Sequence, residues 1–333
     1  MGAITTPLRG HTDVTLVVPV RDEEVSIEAL AASIAAQTVA PAAVVFVDAG
    51  STDRTAEVLA GWTSRHPSWR VLTAGPATPG RARNVGIAAA TTEWIALTDA
   101  GIVLDPHWLR RMVEVARHDA AVDVVYGHCE PALGGFVSRC AALAYVRPPR
   151  PTAQGPVRDG IIASCLLRRF AWAAVGGFPD LRAAEDRIFM RALAAAGHRH
   201  ATAPEATVTW TIQPGLVRTF RRFRTYSRVN VAVGEQRHWH HGVTRQYLAA
   251  LPFVLLAARR RAWLAVPALG FAARVVRSVL QRREGRPVWW AFEPRRLVGV
   301  GAVLLTCDLA TFAGWADAIR DRSRGRDRRR EQA

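Results

Sequence analysis

The sequence predicts an α/β fold, a mainly parallel sheet with flanking helices, followed by a C-terminal helical, membrane-associated region. Three observations carry this. Short β-branched apolar runs alternate with segments of helical period over the first hundred residues, the pattern of parallel strands joined by right-handed crossovers. Asp22, Asp48 and Asp99 fall at or just past the ends of such runs, where open parallel sheets bind their ligands. Beyond residue 210 the chain changes to long apolar stretches set between arginines.

Each element has its own signal. TLVVPV (15–20) is a buried strand ended by the charged RDEE. SIEALAASIAAQT (26–38) has helical spacing, with Ser26 as its candidate N-cap. AAVVFVDAGSTD (42–53) is a second strand and turn, TAEVLAGW (55–62) a helix and WRVLT (69–73) a third strand. GRARNVGIAAA (80–90) is helical, and EWIALT (93–98) is a fourth strand entering Asp99. AVDVVYG (121–127) reads as a strand, RPPRPTAQGP (147–156) as a loop, and GIIASCLLRR (160–169) as strand leading into helix. AAEDRIFMRALAAAG (183–197) is an amphipathic helix with two acids in its first turn, and the tail (320–333) reads as disordered.

The charge is unevenly placed. The formal net charge is +16, and every basic residue is arginine. Residues 1–210 hold 20 Arg against 20 Asp and Glu; residues 211–333 hold 24 against 8. A basic segment suggests nucleic acid or an anionic membrane. The runs at 248–258, 262–273 and 297–316 are too apolar for a nucleic-acid arm, so no nucleic-acid partner is expected and membrane lipid is. Of these runs, the last alone approaches the roughly 20 residues that span a bilayer. The first two are split by Arg259-Arg260-Arg261 and are consistent with short spans, a re-entrant pair or interfacial helices. Buried core helices are the alternative. Because positive loops favour the cytoplasmic side, the arginine-rich tail favours an even number of crossings or a surface-lying arrangement. The four cysteines lack paired or Cys-x-x-Cys spacing, which fits a reducing compartment. With no apolar run near the first residues, the front half is expected in the cytoplasm.

TLVVPVRDEE, VVFVDAGSTDRTAEVL, GRARNVGIAAA, EWIALTDAGIVLDPHWL and AAEDRIFMRAL, in this order and spacing, resemble a family 2 glycosyltransferase of the GT-A, Rossmann-like fold, over roughly residues 13–230. The resemblance implies an inverting transferase taking a sugar from a UDP- or GDP-sugar. It implies a catalytic domain at 1–230, followed by a membrane region at 231–333. Pro19, Arg21 and Glu23 would hold the nucleoside, and Asp48 the base or ribose. The family's second acid beside Asp48 is Ala49 here, and Asp48 alternatively is an Asx turn residue ahead of Gly50. Arg81, Arg83 and Asn84 would meet the diphosphate, which suits the bidentate arginine fork. A solvated helix start is the alternative.

Asp99-Ala100-Gly101 takes the place of the family's Asp-x-Asp metal motif with the second acid absent. One carboxylate with phosphate oxygens and water would still hold Mg2+ or Mn2+, more weakly, with partial replacement by arginine as an option. Asp105 suits a Pro-led helix start better than a ligand role. Glu185-Asp186 matches the family's Glu-Asp pair, with Asp186 as the general base and Glu185 orienting an acceptor or loop. Acids in a first helical turn also favour the helix dipole. Arg222-Phe223 falls where processive relatives carry Gln-x-x-Arg-Trp, with Thr219 in place of the Gln; a basic amphipathic helix lying on the membrane is the equal alternative for 219–230. HWHH (238–241) lacks the accompanying ligand spacing of a metal site. The expected acceptor is a lipid-linked or cell-envelope glycan at the cytoplasmic membrane face. Two other readings are a catalytically weak nucleotide-sugar binder, given Ala49 and Gly101, and a membrane-associated dinucleotide enzyme. The absence of Gly-x-Gly-x-x-Gly after the first strand counts against the latter.

Overall fold

The computed structural model describes residues 12–152, 155–158, 161–212, 215–237 and 240–331, with side chains to 323. Two compact units emerge from chain packing: residues to Glu130 with Pro149–Thr211, and Pro131–Pro148 with Ile212 onward. The second unit therefore takes in a segment from within the sequence of the first.

The first unit is built on an eight-stranded sheet. In chain order its strands and helices are β1 (Thr12–Val20), α1 (Ile27–Ala35), β2 (Pro41–Asp48), α2 (Thr55–Thr63), β3 (Trp69–Thr73), α3 (Pro79–Ala88), β4 (Trp94–Leu97), β5 (Ile102–Leu104), α4 (Trp108–His118) and β6 (Val124–Ala132). After α5 (Phe136–Tyr145), which belongs to the other unit, come β7 (Arg150–Thr152), β8 (Gly155–Val157), β9 (Cys165–Arg168), α6 (Arg169–Ala174), α7 (Glu185–Ala195) and β10 (His200–Thr211). The sheet order is β3-β2-β1-β4-β9-β6-β10-β5, with β7 and β8 as a separate pair.

β3, β2, β1 and β4 are parallel, with Val20 opposite Asp48 and Asp48 opposite Thr73. Their carboxyl ends share one rim, and the strand order reverses at β1, the switch point where such sheets leave a crevice. Strand residues alternate between two cores. Leu16, Val18 and Phe46 pack with α1, α2 and α4, whereas Val17, Val45 and Val47 pack with α3, α6 and α7. These runs are continuously apolar because both faces are covered. Gly86 lets α3 lie close on the sheet: a Cβ there would stand 2.4 Å from Val17 Cγ1.

The second unit is helical: α5, α8 (Leu216–Ala232), α9 (His240–Leu256), α10 (Ala265–Gln281) and α11 (Pro294–Glu331). α11 is 38 residues long, so the tail expected to be disordered continues the helix to Glu331. α8 and α11 lie together, tied by Arg224–Asp317 and Arg228–Asp321. Ser227 Oγ donates to the Thr311 carbonyl at 2.7 Å. Two helices, Arg261–Gln281 and Pro294–Ser323, are long and apolar enough to cross a membrane. All four cysteines are free thiols and buried.

Candidate active site

Three of the aspartates and acids expected at the site do lie along the parallel rim. Asp48 ends β2, and its Oδ1 accepts from Ser51 N–H at 3.0 Å and Ser51 Oγ at 2.6 Å, an Asx-type turn. Pro19 is half-buried within β1, opposite Val47. Arg21 is exposed and sits 3.6 Å from Asp22 Oδ2. Glu23 N–H donates to Thr55 Oγ1 at 2.7 Å, while the Glu23 carboxylate accepts from Ser26 Oγ. Ser26 thus serves Glu23 and makes no side-chain cap on α1.

Asp99 and Glu185 are brought together by Arg83. Its Nη2 donates to Asp99 Oδ1 at 2.5 Å and its Nη1 to Glu185 Oε1 at 3.0 Å. The Arg83 side chain is 4% exposed, Glu185 9% and Asp99 38%. Burial works against the charge on Arg83, but the two carboxylates overrule it and hold the guanidinium more firmly protonated than usual. Burial pushes the Glu185 carboxyl up, against the pull of Arg83 and with the help of Asp186. Asp186, half-buried in the first turn of α7, accepts from Arg187 N–H at 2.7 Å. Ala184, immediately before α7, has φ +67, a left-handed conformation unusual for a residue with a Cβ.

The Asn84 amide is hydrogen-bonded within the fold. Its Oδ1 accepts from Phe178 N–H at 2.8 Å and Trp172 Nε1–H at 2.9 Å, and its Nδ2 donates to the Phe178 carbonyl at 2.7 Å. The amide is spent on holding the segment before α7. That segment is pinned again where Thr78 Oγ1 donates to Asp180 Oδ1 at 2.5 Å. Thr78 also caps α3 by accepting from Arg81 N–H.

The result is a cleft of about 330 Å³ lined by Arg21, Pro76, Ala77, Thr78, Arg81, Asp180 and Arg182. Three guanidinium groups face one acid there, an anion-binding arrangement. Arg182 was not expected from the sequence. Its signal is spatial: it borders the same cleft as Arg81, on a segment that Asn84 anchors.

A second charged group extends the same rim. Leu97 of β4 and Tyr126 of β6 both pair with Cys165 of β9, so two residues further on come Asp99 and His128. His128 Nδ1 accepts from Arg158 N–H at 3.2 Å, which leaves Nε2–H to donate to Glu130 Oε1 at 2.6 Å. Arg158 Nη2 donates to Glu130 Oε2 at 2.9 Å. The His128 and Arg158 bonds hold the Glu130 carboxyl below the usual range, against its partial burial. Burial pushes the neighbouring Cys129 thiol up to about 12, so it is no nucleophile at neutral pH.

Among the described residues no group of three His, Cys, Asp or Glu side chains could hold a metal ion. A Cβ at Gly101 would stand 3.8 Å from Glu23 Oε2. The carboxylate of Glu23 therefore occupies the neighbourhood into which the missing acid would project. Asp99, bonded to Arg83, is the one motif carboxylate at this strand end, a single oxygen ligand of the kind a hard cation takes. Of HWHH, His238 and Trp239 lie outside the described residues, and His240 is buried with its Nε2 against Ser227 Oγ at 2.8 Å. Arg222 bonds Tyr226, Phe223 packs on Tyr145, and Thr219 Oγ1 donates to the Gly215 carbonyl.

Comparison with known proteins follows the same region. Residues 15–169 match the family described as Glycosyl transferase family 2. An uncharacterized glycosyltransferase of Nostoc sp. is 38% identical over 96 residues, 28% of this chain and 30% of that protein. The chain thus spans under a third of that relative's length. A mannosyltransferase from Pyrobaculum calidifontis, solved with GDP-Man and Mn2+, is similar with a TM-score of 0.52 at 20% identity, covering 91% of this chain and 88% of its own. S. aureus TarS 1–349, solved with UDP-GlcNAc, has a TM-score of 0.48 at 16% identity, covering 88% and 90%.

Proposed function

We propose that this chain, which carries a glycosyl transferase family 2 domain over residues 15–169, is an inverting hexosyltransferase that uses a UDP- or GDP-sugar. Its donor diphosphate would lie in the arginine cleft beside Asp99. The observation that supports this is the convergence of Arg21, Arg81 and Arg182 on one cleft at the switch point of the parallel sheet. The matched family and the GDP-Man complex of the Pyrobaculum calidifontis neighbour are in keeping with it.

In the reaction, an acceptor hydroxyl attacks the anomeric carbon from the face opposite the diphosphate. Asp186 takes the hydroxyl proton, the bond from the anomeric carbon to the diphosphate oxygen breaks, and the configuration inverts. Arg21, Arg81 and Arg182 stabilise the charge on the departing nucleoside diphosphate. Arg83 keeps Asp99 and Glu185 fixed, so that Glu185 and its neighbour Asp186 meet the acceptor in one orientation. Pro19, Glu23 and Asp48 border the nucleoside. A Mg2+ or Mn2+ held by Asp99 would supply further neutralisation of the diphosphate when bound. Asn84 acts through the 172–178 segment rather than on the donor.

The acceptor is a lipid-linked or envelope glycan, and the transferase domain works at the cytoplasmic face of the membrane. The apolar, arginine-rich helices after residue 211 support this placement. Titration calorimetry of the detergent-purified chain with UDP and GDP tests the donor site. Micromolar binding of one of them that weakens in Arg81→Ala is expected. No binding of either, by a folded protein, would overturn the reading.

A further inference from the structure

The helical unit carries an apolar surface that its own packing leaves uncovered. Leu248, Leu251 and Leu255 of α9, with Trp263, Leu264 and Leu269 at and beyond the turn into α10, are each 40% exposed or more. Arg259, Arg260 and Arg261, between the two runs, are all exposed. Phe253 and Trp263 pack ring against ring at 6.0 Å, closing α9 and α10 into a hairpin. An exposed apolar patch of this extent marks an interaction surface.

Two physical limits decide how the hairpin meets a bilayer. The exposed apolar run of α10 ends at Arg274, whose guanidinium makes a bidentate pair with Asp308 (2.5 and 2.9 Å). Tyr247 of α9 donates to the same carboxylate at 3.1 Å. Arg261–Gln281 as a whole is long enough to cross, but its part free of that pair, from residue 262 to Arg274, reaches about 18 Å at 1.5 Å per residue, well short of the roughly 30 Å hydrocarbon core. If the hairpin stood upright, its tip would carry three unpaired arginines to the middle of the core, where charge is costly. Lying in the interface, it buries the leucines among acyl chains and leaves the arginines level with the headgroups.

We propose that the α9–α10 hairpin is an in-plane anchor that docks on an anionic lipid leaflet, without crossing it. The arginines choose the partner. Three adjacent cations with no intervening acid complement lipid phosphates, and a protein groove would demand matching carboxylates. The inference deepens the membrane placement proposed above and is independent of the transfer chemistry.

Flotation of the detergent-purified full chain tests it, with vesicles of phosphatidylcholine alone and of phosphatidylcholine mixed equally with phosphatidylglycerol. The chain is expected to float with the anionic vesicles far more than with the neutral ones. Arg259→Ala/Arg260→Ala/Arg261→Ala should lower that partition about 100-fold, the effect of three arginines near an anionic surface. The corresponding triple lysine variant should retain it, which separates lost charge from lost folding. Leu251→Asp/Leu255→Asp should abolish it. Arg260→Cys should stay open to a membrane-impermeant maleimide on the bound vesicles, since the native thiols are buried. Protection of that thiol would put the hairpin tip in the core and overturn the proposal, and so would an alanine variant that floats as wild type does.

Discussion

Asp99 and Glu185, 86 positions apart in sequence, are bridged by one guanidinium, that of Arg83, which is almost wholly buried. The bridge joins the end of β4 to the start of α7. It therefore ties Asp99 to Glu185 and its neighbour Asp186, and the stability of this cluster depends on it. Replacing Arg83 with Ala leaves Glu185 buried and unpaired. Removing one member of a buried pair costs about 3–5 kcal/mol, and partial solvation of Asp99 points to the lower end. Denaturant unfolding of Arg83→Ala should show this loss, and Arg83→Lys should restore only part of it because a compact ammonium lacks the planar fork whose Nη1 and Nη2 each meet one acid.

Asp186→Asn should reduce transfer by about 10²- to 10⁴-fold, the usual worth of a positioned general base. Its affinity for the nucleoside diphosphate should be unchanged, because Asp186 lies outside the arginine cleft. Steady-state rates and calorimetry on the same preparation check both halves.

Arg182→Ala should weaken nucleoside diphosphate binding about tenfold, the lower end of the loss for a hydrogen bond to a charged group. The salt dependence of binding should become shallower in the same variant. An unchanged affinity would remove Arg182 from the donor site while leaving Arg21 and Arg81 in it.

The Glu130 carboxyl is held low by His128 and Arg158, which ties stability to pH. A group whose folded pKa is depressed contributes stability above its unfolded value and loses it as pH falls through the folded value. The native protein should therefore lose stability on acidification below about 4.5. Glu130→Gln should be less stable at neutral pH and show a shallower acid limb. Thermal midpoints across that range read the difference.

The four parallel strands are legible in the sequence because strands buried on both faces are continuous apolar runs, as in TLVVPV and VVFV. β10 escapes notice because HATAPEATVTWT mixes exposed and buried positions without clean alternation, and β5 is three residues long. α5 has helical spacing but belongs to the packing of the other unit. Asp48, Arg81, Asp99 and Asp186 could be named as candidates from motif and strand end alone. Arg182 could not, because its neighbours Thr78 and Arg81 lie about a hundred positions earlier and the link runs through Asn84 to Phe178. The His128–Glu130–Arg158 group is hidden for the same reason. The end of α11 contradicts its composition, which reads as a disordered tail, because the preceding turns of the helix pack against α8.

The most direct test of transfer is release of nucleoside diphosphate from a panel of UDP- and GDP-sugars, with crude membrane lipid as acceptor and with or without Mn2+ or Mg2+. Wild type, Asp99→Ala and Asp186→Asn are compared. Release from one donor that falls at least a hundredfold in Asp186→Asn, and that responds to cation less in Asp99→Ala than in wild type, is expected. Tight donor binding with no release from any sugar, or release indifferent to Asp186, would contradict it.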